Sequence, residues 1–277
     1  MENQSSKFRV ESDLIGSLEI PADVLYGVQT LRGLENFPIS CFHLNDYPLF
    51  INGLAMTKLA AAEANYQLGL LSDAQYKAIS QACREILDGQ HHEHFPVDMI
   101  QGGAGTTTNM NANEVIANRA LQIMGFPLGK YKHCSPNDHV NCTPSTNDAY
   151  PTAIHLGLYA THLEFMKHYE LLIQSFEVKA EEFKDILKMG RTQLEDAVPM
   201  TLGQTFGAFA SILRDEIRNI NFAAEEFLTV NMGATAIGTG ICSEPGYSEK
   251  CISALREITG WDMKLAENLV AATSDTS

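Results

Sequence analysis

The most constraining feature of this sequence is the stretch 158–189, which contains neither glycine nor proline. Its apolar side chains recur at the spacing that is typical of one face of an α-helix. A helix over the whole stretch would extend on the order of 45 Å, at about 1.5 Å per residue. Such a length exceeds what a compact domain needs and favours a bundle of long helices. The apolar positions are Leu163, Met166, Leu171, Ile173, Phe176 and Phe183.

A second long helix is predicted over about 200–230, because apolar residues fall three or four apart on one face. The segment 190–193 lies between the two long helices. We interpret it as a simple connection in which Gly190 serves as a helix C-cap. The apolar face of the second helix consists of Phe206, Phe209, Leu213, Ile217, Ile220, Ala224 and Phe227.

The remaining sequence predicts shorter elements. The first forty or so residues alternate short apolar pieces with proline and glycine, which favours extended or looped structure. Further helices are predicted at about 49–71, from the N-cap Ser72 to Gly89, at about 109–124 and near 248–259.

These patterns together predict a mainly α fold in two parts. Residues 126–148 lack periodicity and contain several prolines, which predicts a loop with a domain boundary inside it. We therefore expect an N-terminal helical domain, 1–140, that carries a glycine- and threonine-rich loop. The second part, 141–277, would hold the first long helices of a central helical bundle.

Charge and cysteine content restrict the partners of the chain. There are 19 Lys and Arg residues against 34 Asp and Glu, a formal net charge of -15. So acidic a surface repels nucleic acid and anionic lipid, and we expect neither as a partner. The six cysteines form no C-x-x-C pair, and no apolar run is long enough to span a membrane. With no apolar signal segment near the N-terminus, we expect a cytoplasmic protein.

Three polar, hydroxyl-rich segments adjoin the predicted helices and are candidates for binding an anion. The first is Gln101–Asn111, in which glycines precede Thr106 near the start of a helix. Glycines let the backbone approach a ligand, and the free N–H groups at a helix N-terminus favour a carboxylate. Ordinary capping of the helix fits this segment equally well.

The other two segments are weaker signals by themselves. Ser145-Thr146-Asn147-Asp148 precedes the long helix and is more typical of an N-cap than of a binding site. Gly190-Arg191-Thr192-Gln193 is polar, but its glycine fits a C-cap. Three histidines in 91–94 could ligate a metal, yet no carboxylate-rich motif accompanies them, and we interpret this run as a solvated loop.

The ordered motifs along the chain resemble those of the aspartase/fumarase superfamily. The resemblance covers essentially the whole sequence and corresponds to the N-terminal part of the family members. It implies a mainly α fold with a central helical bundle. The matching stretches are Ile20–Asp23, Tyr26–Arg32, Glu35–Phe37, Gly102–Thr106, Asn109–Asn111, Pro136–Asn141, Ser145–Asp148, Gly190–Gln193 and Gly238–Gly240.

Within the superfamily, the sequence is more similar to the aspartate ammonia-lyases than to class II fumarases. Fumarases typically carry His at the position of Gln193, and Trp-Gly-Ala where this chain has Tyr26-Gly-Val. The segments 232–236 and 272–275 are also similar to the ammonia-lyases. The resemblance thus implies elimination of ammonia from L-aspartate to give fumarate, with a fumarase-type hydratase as the alternative.

The resemblance also implies roles for particular residues. Thr106, Ser145 and Thr146 match positions that hold the substrate carboxylate on which negative charge develops. Asn147, Thr192 and Gln193 match positions that hold the amino group and the other carboxylate. The family implies no redox cofactor, possible Mg²⁺ activation, and a homotetramer whose active sites are shared between subunits.

One departure from the family pattern is large. Family members carry a later Gly-Ser-Ser-x-Met-Pro-x-Lys-x-Asn loop that supplies the serine base and a carboxylate-binding lysine, and this sequence has no such loop. The resemblance therefore implies a catalytic serine beyond Ser277, and we expect the 277-residue chain to be inactive alone. A non-catalytic structural fragment is the alternative interpretation.

Overall fold

The computed structural model describes residues 7–101 and 104–275. Contacts divide the chain into two compact units. Unit 1 comprises residues up to Leu158 together with those from Phe227 onward, and unit 2 comprises Tyr159–Glu226. The predicted domain boundary at 140/141 falls inside unit 1, and the division into 1–140 and 141–277 stays a prediction.

Helices dominate the described residues, which confirms the predicted mainly α fold. In chain order the elements are β1 (Phe8–Ser12), β2 (Ser17–Pro21), α1 (Val28–Asn36), α2 (Pro48–Gln67), α3 (Asp73–Leu87), α4 (Thr106–Ile123), α5 (Thr146–Glu182), β3 (Leu187–Thr192), β4 (Glu195–Thr201), α6 (Leu202–Glu225), β5 (Thr229–Val230), α7 (Tyr247–Thr259), β6 (Lys264–Leu265) and α8 (Leu269–Ser274). Short 3₁₀ turns lie at Leu44–Asp46, His92–His94 and Glu226–Leu228, and a π-helical turn at Pro136–Val140.

The N-terminal region is more ordered than its sequence predicts. Strands β1 and β2 pair antiparallel and agree with the extended chain that was expected, whereas α1, which follows them, was not predicted. Helix α1 begins without a side-chain cap of its own. The buried carboxylate of Glu114 in α4 accepts hydrogen bonds from the N–H groups of Gly27, Gln29 and Thr30 instead. Because this acceptor is more than eighty positions away in sequence, local pattern could not reveal it.

Unit 1 has its core between α2, α3, α4 and α7. Helix α3 begins as predicted, with Ser72 and Gln75 forming a capping box. Helix α2 also lies against the start of α5 at two glycines. A Cβ on Gly53 would lie 2.2 Å from the carbonyl oxygen of Ala153, and one on Gly157 would lie 3.0 Å from the Cα of Phe50. The two backbones therefore approach as closely as only glycine permits.

Helix α5 begins at Thr146, twelve residues before the stretch that predicted it, and it contains Pro151. A proline inside a helix leaves the carbonyl four residues earlier without its usual N–H donor. In α5 that carbonyl belongs to Asn147, and the side-chain amide of Asn231 donates to it at 3.1 Å. The chain thus continues in helix through a proline because a distant side chain replaces the missing hydrogen bond.

In unit 2 the segment 190–193 lies between the two long helices as predicted, but it belongs to a β-hairpin. Strands β3 and β4 pair antiparallel, with Thr192 opposite Glu195. The two-residue turn is Gln193-Leu194, and both residues have positive φ, 48° and 71°. Gly190 lies within β3 and is not a C-cap; a Cβ there would lie 2.9 Å from the carbonyl oxygen of Val198.

Helix α6 and the C-terminal half of α5 pack through aromatic rings. Phe176 lies 5.9 Å from Phe206 and 5.6 Å from Phe209, between ring centroids. Phe183 also contacts Phe206 edge to face. Helix α6 ends at Glu225, several residues before the predicted end, where a 3₁₀ turn begins.

In the C-terminal part of unit 1, the short strands β5 and β6 pair parallel, and α7 lies between them in the chain. Helix α7 ends at Thr259, its C-cap is Gly260 with a φ of 73°, and Trp261 comes next. The N–H of Trp261 donates to the hydroxyl of Thr259, and its carbonyl accepts from the N–H of Met263. Across residues 7–101 and 104–275, no helix combines the length and apolar character that crossing a membrane requires.

Candidate functional site

The start of α4 presents backbone donors beside a cavity. Gly105 precedes the helix with a φ of 84°, and a Cβ on it would lie 2.3 Å from the ring of Tyr150. The side-chain oxygen of Gln101 accepts from the N–H of Thr108 at 2.8 Å. The first N–H groups of a helix have no acceptor within it, and within residues 7–101 and 104–275 those of Thr106 and Thr107 have none elsewhere, so they can serve a ligand.

The hydroxyl of Thr146, the first residue of α5, accepts a hydrogen bond. The side-chain amide of the buried Asn109 donates to Thr146 Oγ1 at 3.0 Å. A hydroxyl that accepts one hydrogen bond keeps its own proton for another partner. Thr146 is therefore oriented as a donor, which is what recognition of a carboxylate requires.

A fully buried lysine lies behind this threonine. Lys58 in α2 donates from Nζ to Asn141 Oδ1 at 2.6 Å, and Asn109 approaches the same oxygen at 3.4 Å. The amide nitrogen of Asn141 donates in turn to the carbonyl of Pro144 at 2.7 Å. This network connects α2, α4 and the turn that leads into Thr146, so it fixes the position of the hydroxyl.

Two ionisable groups of opposite sign are buried in this region. Burial lowers the pKa of Lys58 to about 7, and the nearby Asp148 carboxylate opposes that shift. Burial likewise raises the pKa of Asp148 to about 6. Hydrogen bonds from the N–H groups of Thr235 and Gly233 and the charge of Lys58 lower it, but by less than burial raises it. Asp148 Oδ2 accepts from both N–H groups, at 3.0 and 3.1 Å, and so attaches the loop 231–240 to the start of α5.

Asn147 connects the same loop to a cavity of about 670 Å³. Its amide nitrogen donates to the carbonyl of Ala236 at 2.8 Å. The amide oxygen is then the group that Asn147 can offer to a ligand, and an oxygen acceptor suits an ammonium group. The walls of the cavity come from residues 99–101, 104–105, 147, 150–151, 154–155, 236–237 and 273–274.

Comparison with known proteins gives consistent matches over nearly the whole chain. The sequence profile of the family described as Lyase matches residues 16–277. The chain belongs to this lyase family.

Curated relatives in the lyase family are aspartate ammonia-lyases. The one from Pseudomonas aeruginosa is 54% identical over 268 residues, which are 96% of this chain and 56% of that protein. The one from Escherichia coli strain K12 is 50% identical over 272 residues, 98% of this chain and 57% of that protein. The chain thus spans rather more than half the length of the curated relatives it matches.

Solved structures of the lyase family have the same fold. A Brucella melitensis protein described as a fumarate lyase:delta crystallin bound to cobalt matches with a TM-score of 0.94 and 49% identity, over 96% of this chain and 58% of that chain. A class II fumarase from Schistosoma mansoni matches with a TM-score of 0.85 and 34% identity, over 96% of this chain and 59% of that chain. These matches confirm the predicted aspartase/fumarase-like fold.

The predicted site residues of this lyase chain lie in both units. In unit 1, Thr106 is exposed at the start of α4, and Ser145 accepts from the N–H of Asn147 at 3.3 Å. That hydrogen bond is the capping role that the sequence offered as the alternative. Thr192 and Gln193 lie in the exposed hairpin of unit 2. The assignment of substrate-binding roles to these residues stays a prediction.

The structure adds four residues to which the sequence analysis assigned no role, although three of them lie in motif stretches that it named. Lys58, Asn109, Asn141 and Asp148 form the layer behind the predicted threonine and asparagine. For Lys58 one signal was present, because it is the one basic residue of α2 and lies in an apolar run. A charged residue is almost never fully buried unless it has a partner. A search for lone charges inside apolar helices would have found it.

Proposed function

We propose that this chain carries part of the active site of an aspartate ammonia-lyase, an enzyme of aspartate metabolism that converts L-aspartate to fumarate and ammonia. One observation carries the proposal: the Thr146 hydroxyl is oriented as a donor at a helix start by Asn109. The names and the 50–54% identity of the curated relatives support the same reaction.

The reaction requires stabilisation of negative charge. Removal of the weakly acidic Cβ proton produces an aci-carboxylate, on which a second negative charge develops. Preorganised N–H and O–H donors aimed at that group stabilise the transition state more than the ground state. We assign this role to Thr106, Ser145 and Thr146, of which Thr146 has the best-defined donor orientation.

The opposite end of the substrate carries an ammonium group and the second carboxylate. We propose that Asn147 accepts from the ammonium through its amide oxygen, because its amide nitrogen already donates to Ala236. Thr192 and Gln193 would hold the remaining polar groups. The neutral side chain of Gln193 suits orientation of an ammonium leaving group, since it does not titrate. The base would be the serine of the family loop, outside the 277 residues.

Cofactor use and assembly are also proposals. We propose that the elimination needs no redox cofactor. For Mg²⁺, which prefers oxygen ligands, the metal-capable group found within residues 7–101 and 104–275 is unsuitable, because His91 and His94 provide two of its three donors. Activation by Mg²⁺ stays a proposal for the complete enzyme. We further propose a cytoplasmic homotetramer with shared active sites and no nucleic-acid or membrane partner.

A two-substrate assay tests the reaction. A protein of the relatives' full length that includes this sequence is supplied separately with L-aspartate and with L-malate, and fumarate is followed by ultraviolet absorbance. We expect aspartate turnover and little or none with malate. Efficient malate dehydration without aspartate turnover would favour the fumarase-type alternative. A folded protein that turns over neither substrate would favour the structural alternative.

A further inference from the structure

His91, Glu93 and His94 bring three possible metal ligands together at the surface of unit 1. One ligand atom from each side chain lies within 4.8 Å of the others. The two imidazole rings are stacked, with centroids 6.1 Å apart. The side chains of His91 and His94 are only 20% and 15% exposed, whereas that of Glu93 is 71% exposed. Two enclosed nitrogens thus lie beneath a carboxylate that can move toward a cation.

The backbone that carries these side chains is held by the surrounding structure. His91 has a φ of 68°, a left-handed conformation that is uncommon for a residue with a side chain. The turn His92–His94 follows it, and the buried amide of Asn111 donates to the carbonyl of His94 at 2.9 Å. Sparsely populated backbone conformations persist where the surroundings fix them, and they occur often at ligand sites.

A carboxylate behind His91 orients its ring. The Nε2 atom of His91 lies 3.2 Å from Glu85 Oε2. Arg119 holds Glu85 through two hydrogen bonds, of 2.5 and 3.0 Å, and lowers the pKa of that carboxyl to about 2. With Nε2 engaged by Glu85, His91 would offer Nδ1 to an ion, an arrangement in which an outer carboxylate fixes the orientation of the ring and raises its basicity.

The histidines of this turn do not all face the cluster. His94 belongs to it, with one ligand atom within 4.8 Å of those of His91 and Glu93. His92, although adjacent, is turned away: its Nε2 lies 2.9 Å from the carbonyl oxygen of Ile86. The sequence run of three histidines therefore contains two candidate ligands and one residue used for local structure.

We propose that His91, Glu93 and His94 bind a divalent transition-metal cation of the zinc class, with water completing the coordination. Two imidazoles and one carboxylate are a donor set that Zn²⁺ uses when one position remains open. The nitrogen donors select against Mg²⁺ and Ca²⁺, so this site is distinct from any Mg²⁺ activation of the lyase reaction. Binding would close the carboxylate over the two rings.

Titration of the metal-free protein with Co²⁺, followed by calorimetry and visible absorbance, tests the proposal. We expect one ion per chain and a spectrum without a thiolate charge-transfer band, because no cysteine belongs to the ligand set. The variants His91→Ala, Glu93→Gln and His94→Ala should each lower the affinity by about tenfold or more. The matched variant His92→Ala should keep wild-type affinity, since its ring is engaged elsewhere.

Each other result overturns the proposal. Failure to detect one-to-one binding in a folded protein would exclude a site at this turn. Binding that survives His94→Ala, or that His92→Ala weakens equally, would show that the ligands lie elsewhere. Circular dichroism of all four variants distinguishes loss of a ligand from loss of the fold.

Discussion

At the scale of single residues, Thr146 could serve the helix or a ligand. A threonine at a helix start often contributes only a cap, and its loss then lowers stability. In this protein the cap position belongs to Ser145, whose hydroxyl accepts from the N–H of Asn147. Thr146 instead accepts from Asn109, and its proton has no role in beginning the helix. The two roles therefore predict different outcomes for the same substitution.

We expect Thr146→Val in the complete enzyme to lower turnover of L-aspartate by about a hundredfold or more, since it removes one donor from the developing charge. Valine keeps the volume but removes an acceptor of the buried Asn109 amide, so stability should also fall, by about 1–3 kcal/mol, which is too little to unfold the protein in the assay. Thr146→Ser, which retains the hydroxyl, should recover most of the rate. The measurements are a steady-state rate and a thermal melt. A loss of about 1 kcal/mol of stability with a normal rate would mean that Thr146 serves only the structure of the helix start.

Lys58 should make the free energy of unfolding depend on pH. Its pKa is about 7 in the folded protein, below the usual 10.5, so the unfolded chain binds more protons between these values. Stability therefore rises with pH in that window, by at most about 1.4 kcal/mol per pH unit. Asp148, with its pKa raised to about 6, changes the free energy of unfolding only at pH values below this window. The raised pKa of the neighbouring Cys83 thiol changes it only above about pH 9.

The variant Lys58→Met should lack this dependence. Denaturant unfolding at several pH values between about 7 and 8.5 should give a rising stability for the wild type and a flatter profile for the variant. Lys77→Met, at an exposed ion pair on α3, provides the matched control and should retain the wild-type slope. Parallel profiles for all three proteins would mean that Lys58 keeps an ordinary pKa.

At the scale of elements, two helical glycines should respond to alanine with opposite signs. At Gly53 in α2 a Cβ would lie 2.2 Å from the carbonyl oxygen of Ala153, so Gly53→Ala must push α2 and α5 apart. We expect it to destabilise the protein by about 1–3 kcal/mol. At Gly207 in α6 the nearest atom to a new Cβ is 3.8 Å away, and Gly207→Ala should stabilise by about 0.5–1 kcal/mol. Chemical denaturation of both variants checks the signs, and equal signs would refute the packing argument.

Prediction from sequence succeeded for elements whose first and last residues are marked by local capping and stop residues. Helix α3 has its cap and its stop in the local sequence, at Ser72 and Gly89. Helix α1 and the continuation of α5 through Pro151 could not be predicted, because Glu114 and Asn231 supply the missing hydrogen bonds from distant positions. The β3–β4 hairpin was missed because its turn uses Gln193-Leu194, and leucine is rare at positive φ.

Prediction of the candidate site had the same physical limit. Polar loops at helix starts were visible in the sequence, so Thr106, Ser145, Thr146 and Asn147 could be selected together with a family resemblance. The orientation of those side chains depends on buried groups in other elements, such as Lys58 and Asn109. Hydrogen bonds between residues far apart in sequence leave no periodic pattern, so only the folded structure reveals them.

At the scale of the whole molecule, unit 2 exposes apolar side chains along both of its helices. Val178 is 64% exposed, Ile212 60% and Phe222 69%, and these are large fractions for apolar residues of long helices. Exposed apolar area of this kind marks surfaces that associate. It is consistent with the proposed homotetramer, in which long helices of several subunits would pack together.

We expect sedimentation of the complete enzyme to give about four times the subunit mass, according to the tetramer proposal. The double variant Val178→Lys and Phe222→Lys should shift the protein toward smaller species, because burying two new charges at an interface is unfavourable. A pair of lysines at the exposed positions Glu249 and Glu257 of α7 serves as a control for added charge. A monomeric wild type would contradict the proposed assembly.

The chain has a single tryptophan, Trp261, so tryptophan fluorescence reports on one unit and not on the other. It follows α7 in unit 1, whereas unit 2 contains no indole between Tyr159 and Glu226. Indole emission during a thermal scan therefore follows unit 1, while far-ultraviolet dichroism follows the helices of both units. Coincident curves would describe one cooperative transition, and separated curves would describe two. The position of one aromatic ring thus provides an intrinsic optical label for the unit that holds Thr146 and Lys58.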